Sequence, residues 1–158
     1  MWPSAAPPAA DPLLSWQLSD VAELPRMRAQ VRRAIDRTVD PDVLDQLILA
    51  LDEMASNALR HGGGGVEAAV RLTDTGYLIV VSDSAAAQPP TPAVDRDPSL
   101  GGMGLHLVAQ LSVDYGYECR PGRKHVWARL PSGRAGTSDQ EQQRDRLPEP
   151  RSGEFRRE

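Results

Sequence analysis

Three groups of residues in this chain have types and spacings that could do chemistry. Glu53, Asn57 and His61 stand at i, i+4 and i+8 of an apolar-striped segment, so on a helix they project from one side. A carboxylate and an amide one turn apart can share an ion and a reacting hydroxyl. The amide oxygen suits a hard cation such as Mg²⁺, which prefers oxygen and keeps several waters. The carboxylate can accept a proton or orient a nucleophile. The same three residues also describe a solvated helix face that ends in a His cap. The second group is Gly101-Gly102-Met103-Gly104-Leu105. Glycines before a helix let a ligand approach the backbone, and free amides at the positive end of the helix favour phosphate. A flexible hinge has the same letters. No Gly-Lys-Ser/Thr occurs, which excludes a P-loop. The third is Asp83, directly after an apolar run, where a carboxylate can accept a hydrogen bond from an exocyclic amine such as that of adenine, or can simply cap the next turn.

These residues need elements to position them. Leu24, Met27, Val31, Ala34 and Ile35 fall on one stripe and predict a helix from about Leu24 to Arg37, with Arg26, Arg28, Arg32 and Arg33 mostly on its solvated side. Asp40-Pro41 is a cap followed by a first-turn proline. It opens a second helix carrying Leu44, Leu47, Ile48, Leu51, Ala55, Ala58 and Leu59, which ends at the glycine run Gly62 to Gly65. Val66 to Leu72 alternates as a half-buried strand, Thr73 to Gly76 reads as a hairpin turn, and Tyr77 to Ser82 is apolar enough for a central strand. Ser84 to Leu100 is a loop with four prolines, long enough to be functional or mobile. A short helix from about Gly104 to Leu111 follows, then strands at about Asp114 to Cys119 and His125 to Leu130, joined across Pro121-Gly122. This order predicts an α+β two-layer sandwich, a mostly antiparallel sheet with helices on one face. Alternating βαβ units, and hence a Rossmann fold, are not expected.

The 158 residues suit one domain. Residues 1–13, rich in proline, and 132–158, where six arginines balance six acids, are expected to be disordered, leaving a domain at 14–131. A net charge of −4 argues against nucleic acid as the main partner. Cys119 is the single cysteine, so neither an intramolecular disulfide nor a multi-cysteine zinc site is available. No apolar run approaches a membrane span and no signal peptide is visible, so a cytoplasmic location is expected. Lys124 is the only lysine, read as coding bias.

The order of features resembles the GHKL ATP-binding superfamily, the nucleotide-binding fold of gyrase and histidine kinases. The similarity is closer to its branch of bacterial anti-sigma factor serine/threonine kinases. It is carried by LALDEMASNALRHG around Glu53, VVSD ending at Asp83, GGMGLHLV from Gly101, and VDYGYECRPGRKHVWARLP, over roughly Leu24 to Pro131. The resemblance implies a Bergerat-type fold that binds ATP and Mg²⁺. It implies that Asn57 coordinates Mg²⁺, that Glu53 is the general base or polarises the attacking serine or threonine hydroxyl, and that Asp83 takes the adenine amine. Gly102, Met103, Gly104 and Leu105 would hold the phosphates, with Arg60 and His61 near them and Ser84 to Leu100 as a lid. It further implies phosphorylation of an anti-anti-sigma factor, sequestration of a sigma factor, and a homodimer as one assembly. Two departures stand out. The first glycine box, Asp-x-Gly-x-Gly in the family, reads Asp83-Ser84-Ala85-Ala86-Ala87. A Thr expected on the last strand is replaced within Gly122-Arg123-Lys124-His125. The missing glycines keep a rival open: a regulator of the same fold that senses ATP or a partner without phosphotransfer. His61, His106 and His125 all lie within the ATP domain, so autophosphorylation on histidine is not expected.

Overall fold

The computed structural model describes residues 2–35, 39–62, 64–87, 89–90 and 103–133. The elements in chain order are β1 (Asp11–Leu18), α1 (Leu24–Ala34), α2 (Pro41–His61), β2 (Val66–Leu72), β3 (Gly76–Asp83), α3 (Met103–Leu111), β4 (Asp114–Arg120) and β5 (Arg123–Pro131). A 3-10 turn at Val21–Glu23 leads into α1. The strands form one antiparallel sheet in the order β1-β2-β3-β5-β4. The three helices pack on one face of it, as the α+β reading expects.

Local chemistry accounts for the ends. The Asp40 side chain accepts from the Asp42 amide at 2.9 Å and Pro41 opens the first turn of α2. The Thr73–Gly76 turn closes with the Thr73 amide on the Gly76 carbonyl at 2.9 Å. Pro121 and Gly122, the latter at φ 78°, carry the β4–β5 turn, where only glycine takes that φ cheaply. α1 stops at Ala34, three residues short of the expected Arg37, because Ile35 is already extended. Two of the arginines read as solvated are ion-paired with α2: Arg28 with Asp52, and Arg32 with Asp45 at 3.2 Å.

The core lies between the helices and the sheet. Leu47, Leu51 and Met54 of α2, Met27 and Val31 of α1, and Leu105 and Val108 of α3 meet Val70, Ile79 and Val81 of the sheet, all essentially inaccessible. All eight residues of β3 are buried, as a central strand requires.

The N-terminus overturns an expectation. Residues 1–13 were expected to lack packed structure, yet β1 begins at Asp11 and forms the sheet's edge against β2. Its alternation is plain: Leu14, Trp16 and Leu18 turn to the core, Ser15 and Gln17 away. Pro12 is tolerated because it lies on an edge strand beside a register shift. Upstream, Ala5 donates to the Tyr117 carbonyl and Tyr117 to the Pro3 carbonyl, both at 3.0 Å, extending the sheet beyond β4. Pro3 takes part in this pairing through its carbonyl, so its missing amide costs nothing there. Trp2 is 2% exposed and lies against Tyr115, ring centroids 4.8 Å apart. The Trp127 indole then donates to the Ala5 carbonyl at 2.8 Å, and Ala10 packs on Leu78, Val80 and Trp127. The segment thus crosses the face opposite the helices, from the β4 edge to the β1 edge.

Beside the strap, this face carries a polar row across all five strands: Gln17, Glu67, Ser82, His125 and Glu118 are successive cross-strand neighbours. Gln17 donates to Glu67 at 2.6 Å, and Ser82 Oγ is hydrogen-bonded to His125 Nδ1 at 2.6 Å. Burial, with Arg120 and Arg123 nearby, holds the His125 pKa below its ordinary value. Among the described residues no helix is long and apolar enough to cross a membrane.

Candidate functional site

The C-terminal half of α2 organises the site. Its apolar stripe is buried against the sheet, which turns the polar residues Glu53 and Asn57, both half-buried, toward the rim. Glu53 meets the first turn of α3. A Cβ built on Gly104 would overlap Glu53 Oε2, and would lie 2.7 Å from its Cδ. The glycine is therefore what lets the α3 N-terminus approach this carboxylate. The first amides of a helix have no intrahelical acceptor and carry the positive end of its dipole. Gly104 is in that turn. Met103 shares it through its backbone, and Gly102 lies outside the described residues. Leu105 is 1% exposed and belongs to the core, so only its backbone faces this turn's chemistry.

Nine residues further on, α2 ends against Asp83. A Cβ on Gly62 would come within 2.6 Å of both Asp83 Cβ and the Ala58 carbonyl, so no other residue fits there undisturbed. Gly64, at φ 86°, lies over Ser84 in the same way. From sequence alone this glycine run is only a helix stop. A run longer than one stop needs was the available signal that two backbones close on each other.

Asp83 ends β3 and is 2% exposed. Its Oδ1 accepts from the Ala85 amide at 2.8 Å, the turn by which an aspartate replaces conformations that glycines would supply. Its Oδ2 faces Lys124 Nζ at 3.7 Å. The two residues are direct cross-strand partners on β3 and β5, and Lys124 is buried too. Cys119, exposed on β4, donates to the Ala86 carbonyl at 3.0 Å and so ties the start of the expected lid to the sheet. The rest of that lid, Gln88 and residues 91–100, lies outside the described residues. Arg60 and His61 occupy the exposed last turn of α2.

Glu53 and Gly62 are about 13 Å apart along α2. One end of this stretch offers a carboxylate, an amide and helix-start amides. The other offers a buried carboxylate able to accept from a base. The separation is of the order of that between the base and the terminal phosphate of an extended nucleotide. Among the described residues no cluster of three His, Cys, Asp or Glu could cage a metal. The oxygen donors Asn57 and Glu53 suit a cation held mainly by phosphates and water, as Mg²⁺ is.

Residues 18–130 match the family described as the histidine kinase-like ATPase domain. The chain belongs to this family, whose members are kinase-like ATPases, and membership implies ATP as ligand. No curated protein matches the chain. Among solved structures, the fold is similar to the RsbU and RsbW domains of Rv1364c from Mycobacterium tuberculosis, with a TM-score of 0.53 and 17% identity over 75% of this chain. The match spans only 32% of that solved chain.

Proposed function

We propose that the protein is an ATP-dependent regulatory kinase of the anti-sigma type, which transfers the γ-phosphoryl group of ATP to a serine or threonine of an anti-anti-sigma partner and sequesters a sigma factor when that partner is unavailable. The observation that carries this reading is Glu53, held against Gly104 at the start of α3 and one turn from Asn57. Phosphoryl transfer asks mainly for positioning and charge neutralisation. In this reading the first amides of α3 bind the phosphates, Asn57 supplies a Mg²⁺ ligand, and Asp83 accepts from the adenine amine. Mg²⁺, when bound, neutralises charge on the phosphate oxygens. Glu53 takes the proton of the attacking hydroxyl at its carboxylate or orients that hydroxyl. The RsbW domain named in the similar structure is consistent with this class, and the location would be cytoplasmic.

The test is phosphate transfer from radiolabelled ATP to a co-encoded anti-anti-sigma candidate. Wild type should label it. Glu53→Gln should bind ATP within a few-fold of wild type yet transfer about 10²–10⁴ times more slowly, since Gln keeps the shape but is no base. Wild type that binds ATP and never transfers would favour a second reading, a non-catalytic regulator. One observation supports that alternative: Asp83 is already engaged by the Ala85 amide and by Lys124, where the family's glycines would leave the loop freer.

A further inference from the structure

The sheet face opposite the helices has a hollow over β2. Alternation along β2 turns Glu67, Ala69 and Arg71 to this face. Ala69 stands in register between Ser15 of β1 and Val80 of β3. Its single methyl group lies below longer neighbours, and a cavity of about 300 Å³ opens there, lined in part by Ser15, Gln17, Glu67, Arg71 and His125. A second cavity, of about 270 Å³, shares Ser15, Ala69 and Arg71 with the first and continues to Pro12 and Leu13 at the β1 edge. Arg71 therefore stands where a polar compartment meets an apolar one. Its charge is not spent inside the protein. Of the half-buried arginines among the described residues, Arg28 and Arg129 are ion-paired and Arg123 donates to the Ser82 carbonyl, whereas Arg71 has neither an ion-pair nor a hydrogen-bond partner. A partly desolvated guanidinium gains from an anion with which it can form paired hydrogen bonds. Glu67 accepts from Gln17 through one carboxylate oxygen, at 2.6 Å, and among the described residues its other oxygen has no partner.

We propose that this hollow binds a dipeptide, with its N-terminal ammonium on Glu67, its C-terminal carboxylate on Arg71, and an apolar C-terminal side chain in the compartment at Pro12 and Leu13. Glu67 and Arg71 are four residues apart on one strand, so their Cα atoms are about 13 Å apart. Side chains stand roughly upright on a sheet, which keeps the two charges apart as opposite poles of one site. Two extended residues reach about 7 Å, and a hydrogen bond of about 2.9 Å at each end brings the ligand to the spacing of the poles. A free amino acid, with both charges on one carbon, is too short. The inference goes beyond the kinase reading: it uses none of the residues placed in that site, and it needs no nucleotide.

The experiment follows the amide NMR shifts of the full chain during titration with four compounds: glycyl-leucine, its N-acetyl form, its C-terminal amide, and free leucine. Glycyl-leucine should give saturable shifts at Ser15, Gln17, Ala69 and Arg71. It should bind about three- to tenfold more tightly than either blocked form, since each block removes one charged hydrogen bond at a half-exposed site. Leucine should bind more weakly than the dipeptide. Arg71→Gln should bind glycyl-leucine and its amide alike, yet still prefer the free amine to the acetylated form. Glu67→Gln should lose the amine preference and keep the carboxylate preference. Four results would overturn the proposal. They are no saturable shift at these residues with about 10 mM dipeptide, a blocked form that binds wild type as tightly as glycyl-leucine, leucine that binds as tightly as the dipeptide, and Arg71→Gln or Glu67→Gln keeping the preference assigned to its side chain. The four compounds on wild type decide the matter even where a variant does not fold. Absence of phosphate transfer would overturn the kinase reading and leave this site untouched.

Discussion

At the scale of single residues, the site depends on contacts that side chains would block. Gly62→Ala puts a methyl group within 2.6 Å of the Ala58 backbone carbonyl and of the buried Asp83 side chain at Cβ. Overpacking of this kind costs about 1–3 kcal/mol. Because the strain falls on Asp83, ATP affinity should drop along with stability. Urea denaturation and nucleotide titration of the variant check this, and unchanged affinity would separate Asp83 from the base site. His125 gives a pH signature on the opposite face. Its folded pKa is lowered by burial, with Arg120 and Arg123 adding to it and Glu118 and Glu67 opposing. The fold therefore prefers the neutral ring. Its contribution is fully present above the unfolded value near 6.5 and is lost as the pH falls through the lowered folded pKa. The wild type should lose more stability than His125→Gln on going from about pH 7 to about pH 5. Equal losses in urea midpoints would show that the ring's environment does not matter.

At the scale of elements, the helices and the strands after α2 were legible because each carries a clean period: 3.6 in α1 and α2, two in β2, and a wholly apolar run in β3. Glu53, Asn57 and Asp83 were legible for the same reason, since a polar residue interrupts a regular apolar element at each. What escaped was pairing between distant segments. Leu14, Trp16 and Leu18 alternate as a strand should, but the prolines of residues 1–13 point to an unpacked end just before them, and no strand is expected at the start of the domain. Proline forbids a central strand, not an edge or a strap. Lys124 escaped because a lysine in a strand says nothing until register sets it opposite Asp83. The strap itself is testable. Trp2 fills the rim of the core and its segment caps β4, so Trp2→Ala should destabilise the fold by about 3 kcal/mol. The effect would appear as a lower urea midpoint. A midpoint within error of wild type would mean that residues 2–10 leave the sheet in solution.

At the scale of the whole molecule, the two faces of the sheet divide the work. The helix face carries Glu53 and Asn57 on its rim and the Asp83–Lys124 pair at the strand ends. The other face carries the strap and the polar row. Trp2 reaches the core near Tyr115, at the end of β4 away from Cys119, the residue that touches the Ala86 loop. A ligand that bridges α2, α3 and the β3–β5 end stabilises the native state by mass action, by about 2.7 kcal/mol at a hundredfold excess over its Kd. The expected pattern in thermal unfolding is therefore specific. ATP with Mg²⁺ should raise the melting temperature of wild type, Glu53→Gln and Trp2→Ala by similar amounts, the last from a lower baseline. Asn57→Ala, and wild type in EDTA, should lose most of the rise, because the metal-bridged share of phosphate binding is gone. The separation follows from geometry: changes at sites that share no partners add, while changes within one site do not. A Trp2→Ala variant that folds but no longer responds to ATP would show that the strap and the nucleotide site are one cooperative unit, and the two-face division would have to be abandoned.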